Sequence, residues 1–205
     1  MNRPAREDVL NALLSHIQGA FTASFTATLV KGSQTLLSPS STAGVFVGFP
    51  LSGTGIAEGT TVTGLSPLTM SQPATANGAA VELQTGFALV DRRVEFGDNV
   101  PAPALFLRCL DEEYQWQGNL QVLILKPEIC IVSKAGADPD AVPETALNTY
   151  MDAIDAAFRP DDMQRQRFTL GGLVHWCRLH GKVEKATGDL GPQSQVWADA
   201  EIIVP

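Results

Sequence analysis

The chain has 205 residues, 44% of them hydrophobic and 18% charged, enough apolar sequence for one substantial domain or for a domain carrying a smaller module. Its net charge of -8, with 14 basic residues against 22 acidic ones, opposes binding to a phosphate backbone. No apolar run approaches the roughly 20 residues that span a bilayer, and Met1 to Pro4 begins no signal-peptide core, so the expected site of synthesis and residence is the cytoplasm or a particle assembled there. The three cysteines, Cys109, Cys130 and Cys177, each sit within an apolar run and are expected as buried thiols rather than disulfides.

From Arg6 to Ala20 the apolar positions Val9, Leu10, Leu13, Leu14 and Ile17 recur at three- and four-residue steps, which predicts an amphipathic helix. Pro4 precedes its first turn, Glu7 and Asp8 suit the positive end of the helix dipole, and Gly19 marks its end. His16 falls beside the apolar stripe and reads as a boundary residue.

The composition then changes. Lys31, Glu58 and Glu82 are the only charged residues between Phe25 and Val90, and the short β-prone pieces Thr26 to Val30, Gln34 to Leu37, Val45 to Val47, Thr60 to Leu65 and Val81 to Thr85 are separated by Gly, Ser, Pro and Asn. This shift predicts a separate β-rich module over residues 26–86. The glycines of Gly53-Thr-Gly55-Ile-Ala-Glu-Gly59 invite comparison with a phosphate-binding loop, but no Gly-Lys-Ser/Thr and no helical pattern follow, so they read as turns.

Phe87 to Phe96 suggests a strand broken at Asp91, Arg92 and Arg93, and Pro101 and Pro103 lead into an apolar interior strand over Ala104 to Leu110. Asp111, Glu112 and Glu113 are expected as an acidic turn rather than a catalytic pair, because adjacent turn residues do not face one cleft. Leu120, Val122 and Ile124 lie on one strand face and Leu123, Leu125, Ile129 and Ile131 on the other; Pro127 makes this either two strands or one long strand with a bulge or an edge. Ala135 to Asp140 is a polar loop. Pro143 to Phe158 is a helix with Leu147, Tyr150, Met151, Ile154 and Phe158 on one stripe and Asp152 and Asp155 on the solvated face.

The loop Arg159 to Arg167 leads into Phe168 to His180, expected as a sheet strand in which His175 and Cys177 point one way and Trp176, Arg178 and His180 the other. That alternation, and the lack of a Cys-x-x-Cys knuckle, weigh against a zinc site. Gly181 and Lys182 are expected to turn the chain, Gly188 and Gly191-Pro192 to form a second loop, and Val196, Ala198, Ala200, Ile202 and Val204 to line one face of a closing strand. The predicted fold class is α+β: a mostly antiparallel sheet with two main helices, plus an inserted small all-β domain.

The order of Pro103-Ala-Leu-Phe-Leu after the first helix, the Leu120 to Val132 strand, the helix at Pro143 to Phe158, Leu170-Gly-Gly-Leu-Val and a terminal strand resembles the tail terminator (tail completion) proteins of long-tailed phages. The resemblance covers residues 1–25 and 87–205. The segment from Gly32 to Leu83, with Gly-Val-Phe-Val-Gly and Gly-Thr-Gly-Ile-x-x-Gly-Thr-Thr-Val followed by a Leu-Thr-Met-Ser strand, is similar to a small β-rich module of phage virion proteins. The resemblance implies a structural virion protein at the head-proximal end of the tail. It would form a homo-oligomeric, six-membered ring that caps the tail tube protein, ends polymerisation and faces the head-tail connector protein, with DNA passing through unbound. Tyr114, Trp116, Arg159, Arg165 and Arg167 are the expected interface residues by exposure and residue type. The competing reading is an adhesin or glycan-binding protein of a phage particle, with the β insert as its binding domain. No Ser-His-Asp order, nucleophile elbow, metal signature or dinucleotide fingerprint is present, so neither catalysis nor a cofactor is expected.

Overall fold

A computed structural model describes residues 3–95, 99–134, 143–187 and 193–205. The protein is α+β, with two helices and mostly antiparallel sheets. The first helix, α1 (Arg6–Ala20), buries Val9, Leu10, Leu13 and Ile17, the expected stripe. Three strands follow in one antiparallel sheet, β1 (Ala23–Leu29), β5 (Gly78–Thr85) and β2 (Leu51–Gly53) in spatial order, with the hairpin β3 (Val62–Leu65) and β4 (Leu68–Met70) beside them. The main sheet runs β6 (Leu89–Asp91), β7 (Ala104–Gln117), β8 (Leu120–Lys134), β10 (Gln193–Val204), β9 (Trp176–Thr187), and only β6 with β7 is parallel. Between β8 and β9 lies α2 (Pro143–Ala157).

Both helices pack on one face of the five-stranded sheet. Their stripes meet Leu105 and Leu107 of β7, Leu123, Leu125, Ile129 and Ile131 of β8, and the alternate residues Val196, Ala198, Ala200, Ile202 and Val204 of β10 in one continuous core. Phe21, fully buried just beyond α1, gathers Phe46 at 4.9 Å, Phe49 at 6.1 Å, Phe87 at 4.9 Å and Tyr150 at 6.0 Å between ring centres. This aromatic knot ties residues 46–49 into the main core. A second apolar cluster, from Ala23 to Leu83, fills the space beneath the three-stranded sheet.

Several sequence expectations are corrected. Asp111, Glu112 and Glu113 form no turn: β7 runs through them to Gln117, and the chain reverses at Gly118, whose φ of +65° suits glycine. Their charges are compatible with a strand because Arg6 meets Glu112 and Lys126 meets Glu113. At Pro127, where two strands or one long strand with a bulge or an edge are both open, the single long strand with a bulge is the one that forms. The irregularity sits on β7, where Cys109 pairs with Pro127 and Asp111 with Lys126, leaving Leu110 as the extra residue of a bulge.

Gly181 and Lys182 do not turn the chain either. Strand β9 continues to Thr187, and residues 180–182 bulge outward between the pairs Ala198 with Val183 and Ala200 with Leu179. Phe168 to Val174 is not strand. Leu170, Gly171 and Gly172 all have positive φ, and the Asp161 carboxylate accepts bonds from Thr169 N, Thr169 Oγ1 and Gly171 N at 2.7, 2.9 and 2.8 Å, closing a compact loop. Val45 to Val47 is likewise not strand; Phe46 is drawn into the aromatic knot instead. Of Phe87 to Phe96, only Leu89–Asp91 pairs. Cys130 and Cys177 are buried as expected, whereas Cys109 is partly exposed. The loops expected at Ala135 to Asp140 and around Gly188 and Gly191-Pro192, the position of Phe96 and the side chain of Leu120 lie outside the described residues.

Candidate functional site

The bulge at Leu110 decides what the outer half of β7 presents. Before it, the odd-numbered residues Leu105 and Leu107 face the helices; after it, register with Leu125 and Leu123 brings Glu112 and Tyr114 to that side. The alternation continues to Trp116. Beyond Val204, which pairs with Leu123, strand β10 has ended, so residues 115–122 form a two-stranded arm. Trp116 near its tip is 71% exposed and Tyr114 is half-exposed.

The base of the arm is fastened to the start of α1. Arg6 donates from Nε and Nη2 to the Glu112 carboxylate at 2.6 and 3.0 Å and from Nη2 to Tyr114 Oη at 2.6 Å. Arg3 reaches the Gln121 carbonyl at 2.9 Å and the Pro205 carbonyl at 2.8 Å, with its guanidinium 5.7 Å from the Tyr114 ring centre. The hydrogen bond from Arg6 holds Glu112 below the usual carboxylate range. Gln121 pairs directly with Trp116, so the Arg3 clamp holds the strand opposite the tryptophan while the Trp116 side chain stays exposed.

At the other end of α1 an open groove of about 730 Å³ lies between the last turns of the two helices and residues 44–46. Gly19 and Ala20 of α1, Ala153, Ala156 and Ala157 of α2, and Phe46 make its apolar lining, with Ser15, His16 and Arg159 at its polar positions. His16 Nε2 lies 2.7 Å from the Ala157 carbonyl, and its ring packs 4.6 Å from Phe168, so this histidine braces the helix ends together.

The sheet face away from the helices is polar toward β9. Arg178 makes two bonds to Glu201 Oε1, at 2.9 and 2.6 Å, and lies 4.4 Å from the Trp176 ring centre; Arg167 approaches that ring at 5.5 Å. Arg108 pairs with Glu128 and stands 4.9 Å from the Trp197 ring centre. Asp199 faces the bulge at Gly181, and partial burial together with Glu128 and Glu184 raises its pKa against the opposing effect of His180. Burial pushes the Cys130 and Cys177 thiols up to about 12, which makes them inert at neutral pH. Among the described residues no three His, Cys, Asp or Glu side chains are grouped to hold a metal ion.

The five residues picked from sequence are therefore spread over four places. Tyr114 and Trp116 share the arm, Arg159 lines the groove, Arg165 stands exposed near Asp162 at 3.8 Å, and Arg167 stacks toward Trp176. Sequence reading missed Arg3 and Arg6, whose partners are more than 100 positions away, and it missed the groove, which is built from small residues of two distant helices. The alanine and glycine spacing at the helix ends was the available signal. The chain matches no protein-family model and no curated protein sequence.

Proposed function

We propose that this protein is a structural subunit of a phage particle that closes into a six-membered ring on the finished tail tube, ends tube polymerisation and offers the joining surface to the head connector. The observation that carries this reading is the arm. A tryptophan left 71% exposed on a two-stranded ribbon that extends past the last pair of β10 is a poor feature for an isolated monomer and a good one for a subunit contact, where Trp is a favoured anchor. The order helix, strands, helix, strands, with both helices on one sheet face, agrees with the scaffold that the resemblance implies. A net charge of -8 suits a passage through which DNA slides without adhesion. Binding is then the whole mechanism, and the place of action is the head-proximal end of the tail, assembled in the host cytoplasm.

We further propose that residues 26–86 form an inserted all-β domain and that residues 1–25 and 87–205 form the discontinuous α+β domain around it. The separate apolar cluster beneath the three-stranded sheet supports the division. Strand β1 starts at Ala23, so hydrogen bonding of the insert begins slightly before this boundary, and Phe46 and Phe49 root the insert in the main core.

Mass and shape in solution test the ring: a hexameric annulus by light scattering and negative-stain imaging is the expected result, and a monomer at all concentrations rejects it. In an infected cell, loss of the protein is expected to give overlong tails that do not join heads. Tails of normal length would refute the terminator role.

A further inference from the structure

We propose that neighbouring subunits meet edge to edge on the sheet face away from the helices, with Leu110 and Asp111 of one copy seated in the pocket formed by Arg167, His175, Trp176 and Ile203 of the next. The proposal rests on the ring reading and names the contact that closes the ring. At the β7 bulge Leu110 and Asp111 together oppose Lys126. Lys126 alternates with the core residue Leu125, so both bulge side chains are presented on the face away from the helices. They also stand at an open edge, because β6 covers β7 only from Ala104 to Phe106. Leu110 is 70% exposed there.

Across this face one row of charges alternates in sign. Asp111 of β7 pairs with Lys126 of β8; Ile202 pairs with Leu125, which sets Glu201 of β10 beside Lys126; and Glu201 pairs with Arg178 of β9. Phe168 bridges to Cys177, which brings Arg167 beside Arg178 at the opposite edge. Within the row the charges are matched, since Lys126 meets Glu113 at 3.1 Å and Arg178 meets Glu201 at 2.6 Å. The two ends are not: among the described residues neither Asp111 nor Arg167 has an ion-pair partner.

Arg167 stands at a pocket of about 330 Å³ whose other lining residues are His175, Trp176 and Ile203, with its guanidinium 5.5 Å from the Trp176 ring centre. A leucine beside an unpaired carboxylate on one edge matches an apolar floor beside an unpaired guanidinium on the other, where Arg167 donates to the carboxylate oxygens. The occupant is therefore a second copy of this chain. Because the two ends belong to one row running across the strands, joining them takes a rotation between copies and no step along the strands. That is the condition under which a head-to-tail contact closes into a ring rather than a filament. Strand β7 continues from this edge into the arm, so Trp116 lies on the same side of the subunit.

The test uses the full chain as wild type, Asp111→Lys, Arg167→Glu, the double variant carrying both changes, and Leu110→Ser. All three positions are exposed, so the variants are expected to melt as the wild type does. Each single reversal sets like charges together at every contact and is expected to weaken association about 30-fold or more, and Leu110→Ser about tenfold. The double variant restores opposite charges at every contact. So does an equimolar mixture of the two single reversals, in which each kind of subunit fits only the other. Both are expected to return rings, those of the mixture containing the two kinds in equal number by native mass spectrometry. Single reversals or a Leu110→Ser chain that assemble as the wild type does, or failure of either the double variant or the mixture to form rings, overturn this contact while leaving the ring reading in place. A wild type that stays monomeric at all concentrations overturns both.

Discussion

Residues 23–85 and the five-stranded sheet show two ways of holding a β structure together. In the sheet, long strands carry charged residues that find partners across the ladder or on α1: Arg108 with Glu128, Lys126 with Glu113, Arg178 with Glu201, Arg6 with Glu112. Residues 26–86 have three charged side chains and, among the described residues, no ion pair. Their short strands are joined instead by backbone bonds between turns, such as Gly32 N to Ala74 O at 2.9 Å and Gly48 N to Val62 O at 2.8 Å, and by hydroxyl and amide side chains reaching the backbone. Exposed ion pairs contribute little to stability and tune geometry, whereas backbone bonds sheltered by a small core define the fold locally. The difference teaches that the long strands are aligned by side chains reaching across the ladder, while the short ones are held by the backbone of their own turns.

The comparison breaks most sharply at Phe21. This fully buried ring touches both regions through Phe46, Phe49, Phe87 and Tyr150, so Phe21→Ala is expected to cost about 3–5 kcal/mol and to lower amide-exchange protection in β1 and β5 together with β8 and β10. Protection lost on one side only would mean that the two regions are energetically separate. A smaller and local effect is expected at Gly53. Its φ is +153°, and a Cβ there would lie 2.6 Å from the Glu82 carbonyl oxygen and from Leu83 Cδ2. Gly53→Ala is expected to cost about 1–3 kcal/mol and to loosen β2 and β5 while β8 and β10 keep their protection.

The smallest effect concerns Asp199 on the charged face. Its folded pKa is raised by partial burial and by Glu128 and Glu184, so its ionised form opposes folding. That opposition is present above the folded pKa and is relieved as pH falls through it, because the folded state holds the proton more tightly than the unfolded state. Asp199→Asn is therefore expected to raise the melting temperature slightly at neutral pH, with the advantage shrinking on acidification. An advantage that grows toward acid pH would invert the assignment.

The helices and the inner strands were legible because burial enforces periodicity. The stripe of α1, the stripe of α2 and the alternation of β10 are all readable from spacing, since each residue facing the core had to be apolar. The outer half of β7 was not legible. Once a strand leaves the core, nothing in its sequence demands alternation, and Asp111-Glu112-Glu113 has turn-like composition although Arg6 and Lys126 support it as strand. A single extra residue at Leu110 then exchanged the two faces, which no local pattern announces. The same applies at Gly181, where a glycine followed by lysine reads as a reversal and is in fact an outward bulge of a continuing strand. Of the five residues expected at an interface, Trp116 is the most exposed aromatic, as its type and polar surroundings suggested, whereas the groove between the helix ends depends on residues of two distant helices brought together by the fold.

The arm also has an optical consequence. The protein has three tryptophans, and two of them, Trp176 and Trp197, are partly shielded and stand beside arginine guanidiniums, while Trp116 stands in water. Trp116 therefore dominates the solvent-sensitive part of the intrinsic fluorescence, and its emission reports on whether the arm tip is wet or covered without any added label.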